Sequence, residues 1–516
     1  MSQLNTQVEP TKRKKPKFTQ RILNGIENSG NKLPDVLTLF AIITGIILVA
    51  SFIGGQFGLS AMNPATNEEV KAVNLLSPDG VRRMLTEMVN NFVSFPPLGL
   101  VLVVMLGVGL AESTGLVSAV MRRIVLATPE KLILPTIIVI AVVGNVAADA
   151  ATIVLPPIAA MIFYNLGRNP IVGLVLAYAA VAGGFSANLL LSSLDVLLAG
   201  FTESSAHLID DTYKANPAMN YYFMIASTVV LVPVTMFVTK RIVEPRLGTY
   251  QALQEVKAED SSLKPEEKRG LRFAGVTSLI FVILLAVTVI PENGMLRNQE
   301  TGELLNSPFM DALVGIMFLF FFLPAIAYGI GAKTIKTDKD VSSHLTKSMS
   351  GMGYYIVLTF VAAQMITYFG WSNLGTILSI KGAGWLQDIG LTGLPLLIGF
   401  ILLSAFINLV VASSSAKWAI LGPVFVPMLM LLDYSPAFTQ MAYRVGDSIT
   451  NMITPMLAYF AIVLTFAKKY DKNIGVGTLI SALLPYSIAY ALFWIVLFAI
   501  WYFLGLPLGP GAYIRL

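Results

Sequence analysis

The chain has no cysteine and only two histidines, His207 and His344. Disulfides and thiolate metal centres are thereby excluded, and a histidine-built metal centre has almost no ligands to draw on. Charge is scarce as well. Only 13% of the 516 residues are charged against 55% hydrophobic, about half the charged share of an ordinary soluble chain. This composition excludes a soluble globular fold and predicts a polytopic membrane protein whose surroundings are the lipid bilayer. The opening residues lack an apolar core ahead of a small-residue cleavage site, so no cleaved signal peptide is expected and the first span acts as the insertion signal. The net charge of +5 sits in loops, where it sets topology, and no nucleic-acid partner is expected.

Residues 1–32 form a basic tail containing Lys12 to Lys17, KRKKPK, which predicts a cytoplasmic N-terminus. Val36 to Gly55 is apolar over about twenty residues, enough to cross about 30 Å of hydrocarbon. The mixed-charge stretch after it carries turn signals at Asn63-Pro64 and Pro78-Asp79-Gly80. Two long apolar segments, 132–165 and 391–432, are interrupted by polar residues and prolines. The arms of the first hold only about 12 to 15 residues, roughly 20 Å, too short to span, so both segments are read as re-entrant hairpins. Their tips fall at Asn145 to Asp149 and at Asn408 to Trp418. Two crossing segments, 171–201 and 442–467, contain breaks, at Gly183-Gly184 and from Gly446 to Pro455.

Residues 33–241 and 273–516 therefore repeat one order of elements, and a charged linker, 242–272, joins them. The expected fold is an all-α polytopic membrane protein with nine transmembrane helices, two re-entrant hairpins and an inverted-topology repeat of broken helices, its C-terminus external. Such repeats place a binding site near the midplane where the halves meet.

Polar groups at that depth are functional candidates. A carboxylate at the bilayer centre costs at least about 2.5 kcal/mol, so Asp195 and Asp447 are each expected to be protonated, ion-paired or metal-bound. Arg444, three residues before Asp447 on one helical face, is the expected partner of Asp447. Asp149 at the first tip fits an ion ligand or a tip cap. Asn145, Ser186 and Asn188, with Asn408, Ser448, Thr450 and Asn451, bring oxygens to broken backbone. Asn145, Ser186, Asn188, Asn408 and Thr450 are candidate sodium ligands, the one bound ion the sequence suggests, and no other cofactor is expected. Ser413-Ser414-Ser415 can present hydroxyls and amides to an anion, Trp418 can stack on an aromatic ring, and Pro455 keeps its helix broken. Lys417 can neutralise Asp447, hold a cargo carboxylate or snorkel.

The run FINLVVASSSAKWAILGPVFVPMLMLL from Phe406 to Leu432, followed by YRVGDSITNMITPM from Tyr443 to Met456, resembles the aminobenzoyl-glutamate transporter (AbgT) family. So do SANLLLSSLDVLLAG from Ser186 to Gly200 and NNFVSFPPLGLVLVVMLGVGLAE from Asn90 to Glu112. The resemblance implies a bacterial inner-membrane secondary transporter, a bowl-shaped homodimer that moves p-aminobenzoyl-glutamate or sulfonamides on a proton or sodium gradient. It places functional residues at Asp195, Asn408, Ser415, Trp418, Arg444, Asp447 and Pro455, and more weakly at Pro436. On this reading Trp418 stacks on the cargo ring, Arg444 and the serine tip hold its acidic end, and the two aspartates couple to the ion. Two rivals are a sodium-coupled dicarboxylate carrier of related architecture and an intramembrane hydrolase using Asp195 and Asp447. The carboxylates stand in no short catalytic signature, so an enzyme is not expected.

Overall fold

The computed structural model describes residues 34–64, 67–147, 150–248, 250 and 262–516. The basic tail, Asp149 and the middle of the linker lie outside them. Among the described residues, seven continuous stretches are long and apolar enough to cross a membrane. Each contains one of the helices α1 (Val36–Gln56), α3 (Pro96–Ser113), α9 (Tyr221–Val238), α10 (Pro265–Val289), α11 (Leu313–Ala332), α13 (Gly353–Trp371) and α19 (Val476–Leu504). A bent pair, Leu116–Leu126 with Glu130–Gly144, would make eight, and two interrupted helical segments stand where the sequence placed its two broken crossings. The first runs from α7 (Pro170–Tyr178) through a π-helical stretch, Ala179–Gly183, and an irregular segment into α8 (Ser193–Ala206). The second joins α17 (Pro436–Asn451) to α18 (Ala458–Tyr470).

Both hairpins form as expected. The arms of the first are α5 (Ile133–Gly144) and α6 (Ala150–Asn165), and those of the second are α15 (Gly393–Asn408) and α16 (Ser414–Met430). At 1.5 Å per residue these arms reach about 18 to 26 Å, short of a hydrocarbon core of about 30 Å. The short helices α4 (Leu116–Leu126) and α14 (Leu374–Asp388) lead into the hairpins, and α12 (Asp338–Ser350) precedes α13.

Several expectations need correction. The second broken crossing starts at Pro436 rather than 442, and its break is confined to residues 452–457. Gly446 sits inside α17, where a Cβ would overlap the carbonyl oxygen of Ile401. The glycine is a notch that lets α15 approach, not a helix breaker. In the first crossing, helix α8 continues to Ala206, past the expected end at 201. Pro78-Asp79-Gly80 is no turn but the start of helix α2 (Pro78–Val93). Ser77 caps it, its Oγ accepting the Gly80 N–H at 3.1 Å, and proline suits the first helical position. The loop before α2 contains a small antiparallel ribbon, β1 (Ser60–Met62) with β2 (Glu69–Lys71), an exception to the all-helical expectation.

The packing is reciprocal. The second arm of the later hairpin, α16, lies against α8 of the first broken crossing, and the second arm of the earlier hairpin, α6, lies against α18 of the second. The breaks themselves meet: a Cβ on Gly183 would collide with the Met452 methyl. At the periphery α10 buries only Gly270 and Ala274, leaving an apolar surface suited to lipid.

Candidate functional site

Helix α17 is the spine of the site. Ser435 caps it, accepting the Phe438 N–H at 3.1 Å, and Pro436 occupies its first turn. Every residue from Pro436 to Ile449 is buried, although Gln440, Arg444, Asp447 and Asn451 recur at helical spacing along it. A polar stripe buried this completely must find its partners inside the protein.

Those partners come from both halves. Asp195 is the third residue of α8 and closes a capping box: the Ser192 N–H and hydroxyl donate to its Oδ2 at 2.6 and 2.7 Å. Its other oxygen, Oδ1, meets Arg444 Nη1 at 2.6 Å. The expected pairing of Arg444 with Asp447 is therefore wrong. Arg444 reaches across to the first half, and Asp447 is paired instead with Lys417 from the hairpin arm α16. Of three roles open to Lys417, neutralising Asp447 is the one observed. All four side chains are at most 2% exposed.

Asn408, at the end of α15, ties this network together. Its amide nitrogen donates to the Asp447 carbonyl at 2.6 Å, to Thr450 Oγ1 at 3.0 Å and to Asn451 Oδ1 at 2.8 Å, while its Oδ1 accepts from Lys417 Nζ. Thr450 in turn donates to the Ala405 carbonyl at 3.0 Å. Asn408 and Thr450, expected as sodium ligands, are thus spent on one another and on backbone. In the other half Asn145 donates to the carbonyls of Val142, Val181 and Gly184, fastening the first break, and Asn188 Oδ1 accepts the Leu189 and Leu190 N–H groups. Buried hydroxyls without a hydrogen-bond partner remain at Ser186 and Ser448. Asp149 lies outside the described residues.

Trp418 is wholly buried. Its ring stacks on Tyr443 at 4.6 Å, and its Nε1 donates to Thr202 Oγ1 at 2.9 Å. Gln440 donates to the same hydroxyl at 2.7 Å and accepts from Asn220 at 2.6 Å. In this conformation one face of the tryptophan ring expected to stack on cargo is covered by Tyr443. Sequence reasoning missed Thr202, Asn220, Gln440 and Tyr443. Gln440 was signalled by its spacing, since it lies one and two turns before Arg444 and Asp447. Thr202 and Asn220 carried no such signal.

The serine tip is the accessible part of the site. Ser413 is exposed and caps α16, while Ser414 and Ser415 are half-buried. Tyr443 Oη donates to the Ser414 carbonyl at 2.6 Å and lies 3.5 Å from Asp447 Oδ1, so the tip and the ion pair share one tyrosine. Pro455 falls within the break after α17, where Thr454 donates to the Leu409 carbonyl at 3.1 Å. His207 and His344 are loop and connector residues away from this cluster.

A model of the AbgT putative transporter family matches residues 21–516. The p-aminobenzoyl-glutamate transport protein of Escherichia coli (strain K12) is 38% identical over 496 residues, covering 96% of this chain and 97% of that protein. The crystal structure of the YdaH transporter of Alcanivorax borkumensis, described as revealing an unusual topology, superimposes with a TM-score of 0.89 at 40% identity, covering 92% of this chain and all of that one. MtrF of Neisseria gonorrhoeae, described as illuminating a class of antimetabolite efflux pumps, gives a TM-score of 0.90 at 45% identity, with 95% of this chain and 100% of that one covered.

Proposed function

Because the chain belongs to the AbgT putative transporter family, we propose that it is a secondary transporter of p-aminobenzoyl-glutamate and of sulfonamide-type antimetabolites. It works by alternating access and draws on an ion gradient. The observation that carries this reading is the pair of buried cation–carboxylate contacts, Arg444 with Asp195 and Lys417 with Asp447, where the later hairpin meets both broken crossings. Ionised groups at such depth are costly and mark substrate or ion pathways. Discontinuous helices around them are the architecture in which one half rocks against the other.

Asp195 and Asp447 are the coupling carboxylates. Both sit against cations they can exchange for a proton, and several neutral oxygens that sodium would need are engaged in hydrogen bonds. Coupling to protons is therefore favoured over sodium. Trp418 stacks on the cargo ring once Tyr443 withdraws, and Arg444 with the Ser413 to Ser415 tip holds the acidic end. The protein functions as a homodimer in the bacterial inner membrane, with a cytoplasmic N-terminus and a periplasmic C-terminus, as the lysine-rich loops favour.

The test is flux of p-aminobenzoyl-glutamate and of a sulfonamide in proteoliposomes under separately imposed proton and sodium gradients. Uphill movement under a proton gradient alone is expected. Movement that follows sodium alone, or cleavage of the cargo, contradicts the reading.

A further inference from the structure

The two buried carboxylates are satisfied unequally. Asp195 uses one oxygen on the α8 cap and the other on Arg444. Asp447 uses Oδ1 on Lys417. Among the described residues Asp195 Oδ1 and Asp447 Oδ2 are both buried without a hydrogen bond. The Asp195 oxygen touches Arg444 Nη1 at 2.6 Å, whereas the Asp447 oxygen is not the one in its ion pair. An ionised carboxylate with one such oxygen in a buried interior is held by one ammonium and a long contact from the Tyr443 hydroxyl at 3.5 Å. Lys417 in turn is held by two oxygens, that of Asp447 and the amide oxygen of Asn408, so one of its three donors is uncommitted.

The exposed end of α16 lies close by. Lys417 lies in the first turn of α16, and its backbone N–H bonds to the Ser413 carbonyl at 3.1 Å. Ser413 is exposed and Ser414 and Ser415 are half-buried, so the surface of the protein lies about one helical turn from Lys417, roughly 5.4 Å along the axis. The same turn carries the positive end of the helix dipole. We infer that Lys417 is the specificity-determining cation for anionic cargo and that Asp447 stands in its place while the site is empty. A cargo carboxylate displaces Asp447 from the ammonium, and Asp447 takes up one proton from the buffered solution as it leaves, forming a carboxyl O–H. Lys417 stays protonated throughout, no other covalent bond changes, and the charge of that one cargo carboxylate is balanced by the proton on Asp447.

The charged and titratable groups on α17 and the helices packed against it fit this exchange. Lys417 of α16 and Tyr443 of α17 contact Asp447, Asp195 of α8 is bound to Arg444, and Glu203 of α8 accepts the Ala215 N–H. Helix α19 carries Tyr486, Tyr490 and Tyr502, the first two with hydroxyls bonded to Thr239 and Thr235. The sequence of α15 contains no charged residue. Lys417 is thus the cation freed when Asp447 is neutralised, and it takes one cargo carboxylate beside the one held by Arg444 and the serine tip.

The inference rests on the proposed transport function and is tested by calorimetric binding to the full-length protein. p-Aminobenzoyl-glutamate supplies the carboxylates and sulfanilamide is the neutral comparison. For the wild type, anionic cargo should bind with uptake of about one proton, read from buffers of different ionisation enthalpy, and sulfanilamide with none. Lys417→Gln should weaken p-aminobenzoyl-glutamate about tenfold or more relative to sulfanilamide, the loss of one charge-assisted hydrogen bond. Asp447→Asn should abolish the proton uptake. Since either single change strands a buried charge, Lys417→Gln/Asp447→Asn is the folding control and should show the same change in selectivity. Equal weakening of both cargoes, or an unchanged ratio, overturns the role of Lys417 while leaving the transport reading intact. A wild type that binds neither cargo removes the transport reading and this inference with it.

Discussion

Arg444 with Asp195 and Lys417 with Asp447 are ion pairs of the same chemistry in the same dry core, yet they join different things. The first bridges the two halves of the chain, and its carboxylate also caps a helix. The second stays within the later half, linking a hairpin arm to the broken crossing, and its carboxylate caps no helix: its contacts fall on Oδ1, from Lys417 and Tyr443. The difference suggests a division of labour in which both pairs exchange partners during transport, but only the first, while closed, also fastens the halves. Burial alone does not distinguish them, since all four side chains are at most 2% exposed.

The sharpest way to break this comparison is Arg444→Met. It strands Asp195 without a cation, and removing one member of a buried pair costs about 3 to 5 kcal/mol. Thermal unfolding in detergent should show the largest drop of the substitutions considered, and flux should vanish. An unshifted transition would mean the halves are not held by this contact.

Next comes Gly446→Ala. The added methyl group would overlap the Ile401 carbonyl and force α15 away from α17, an overpacking cost of about 1 to 3 kcal/mol. If Gly446 were instead a flexible break, alanine would stabilise the helix, so the sign of the shift decides. A smaller difference separates Asp195→Ala from Asp447→Ala. Both strand a cation, but the first also loses the α8 cap, worth about 1 kcal/mol, and should be the less stable protein by that amount. Equal stabilities would remove the asymmetry between the pairs.

The smallest effect lies outside the membrane-spanning segments, at Asp340. Backbone N–H groups of Lys336 and Thr337 hold its carboxyl below the ordinary value of 3.8. The start of α12 is therefore supported fully above that ordinary value, and the support is lost as pH falls through the lower folded value. Amide exchange in 336–340 should quicken on acidification, and Asp340→Asn should remove most of the pH response.

The spans, hairpins and breaks were legible because bilayer thickness sets a length that short arms fail, and because proline and glycine punctuate apolar runs visibly. What sequence misjudged was local meaning. Gly446 read as a break because spacing does not show a neighbouring helix, and Pro78 read as a turn because the Ser77 cap was overlooked. That Asp195 and Asp447 had to be neutralised followed from the cost of burying charge. Which cation serves which could not follow, because helical spacing favoured the near neighbour Arg444 while folding brought Asp195 from the other half. Asn408 was singled out for its oxygen, but its amide nitrogen carries most of its contacts.

The absence of native cysteine permits the most direct test of the central claim, that the later hairpin packs against the first broken crossing and must move for transport. Ser205 and Gly422 face one another across α8 and α16: a Cβ on Gly422 would lie 3.7 Å from that of Ser205, inside the range of about 3.5 to 4.5 Å that a disulfide requires. Ser205→Cys/Gly422→Cys should cross-link within one chain on oxidation, stop flux in proteoliposomes, and recover flux on reduction. Failure to cross-link, or undiminished flux in the cross-linked protein, would contradict the account.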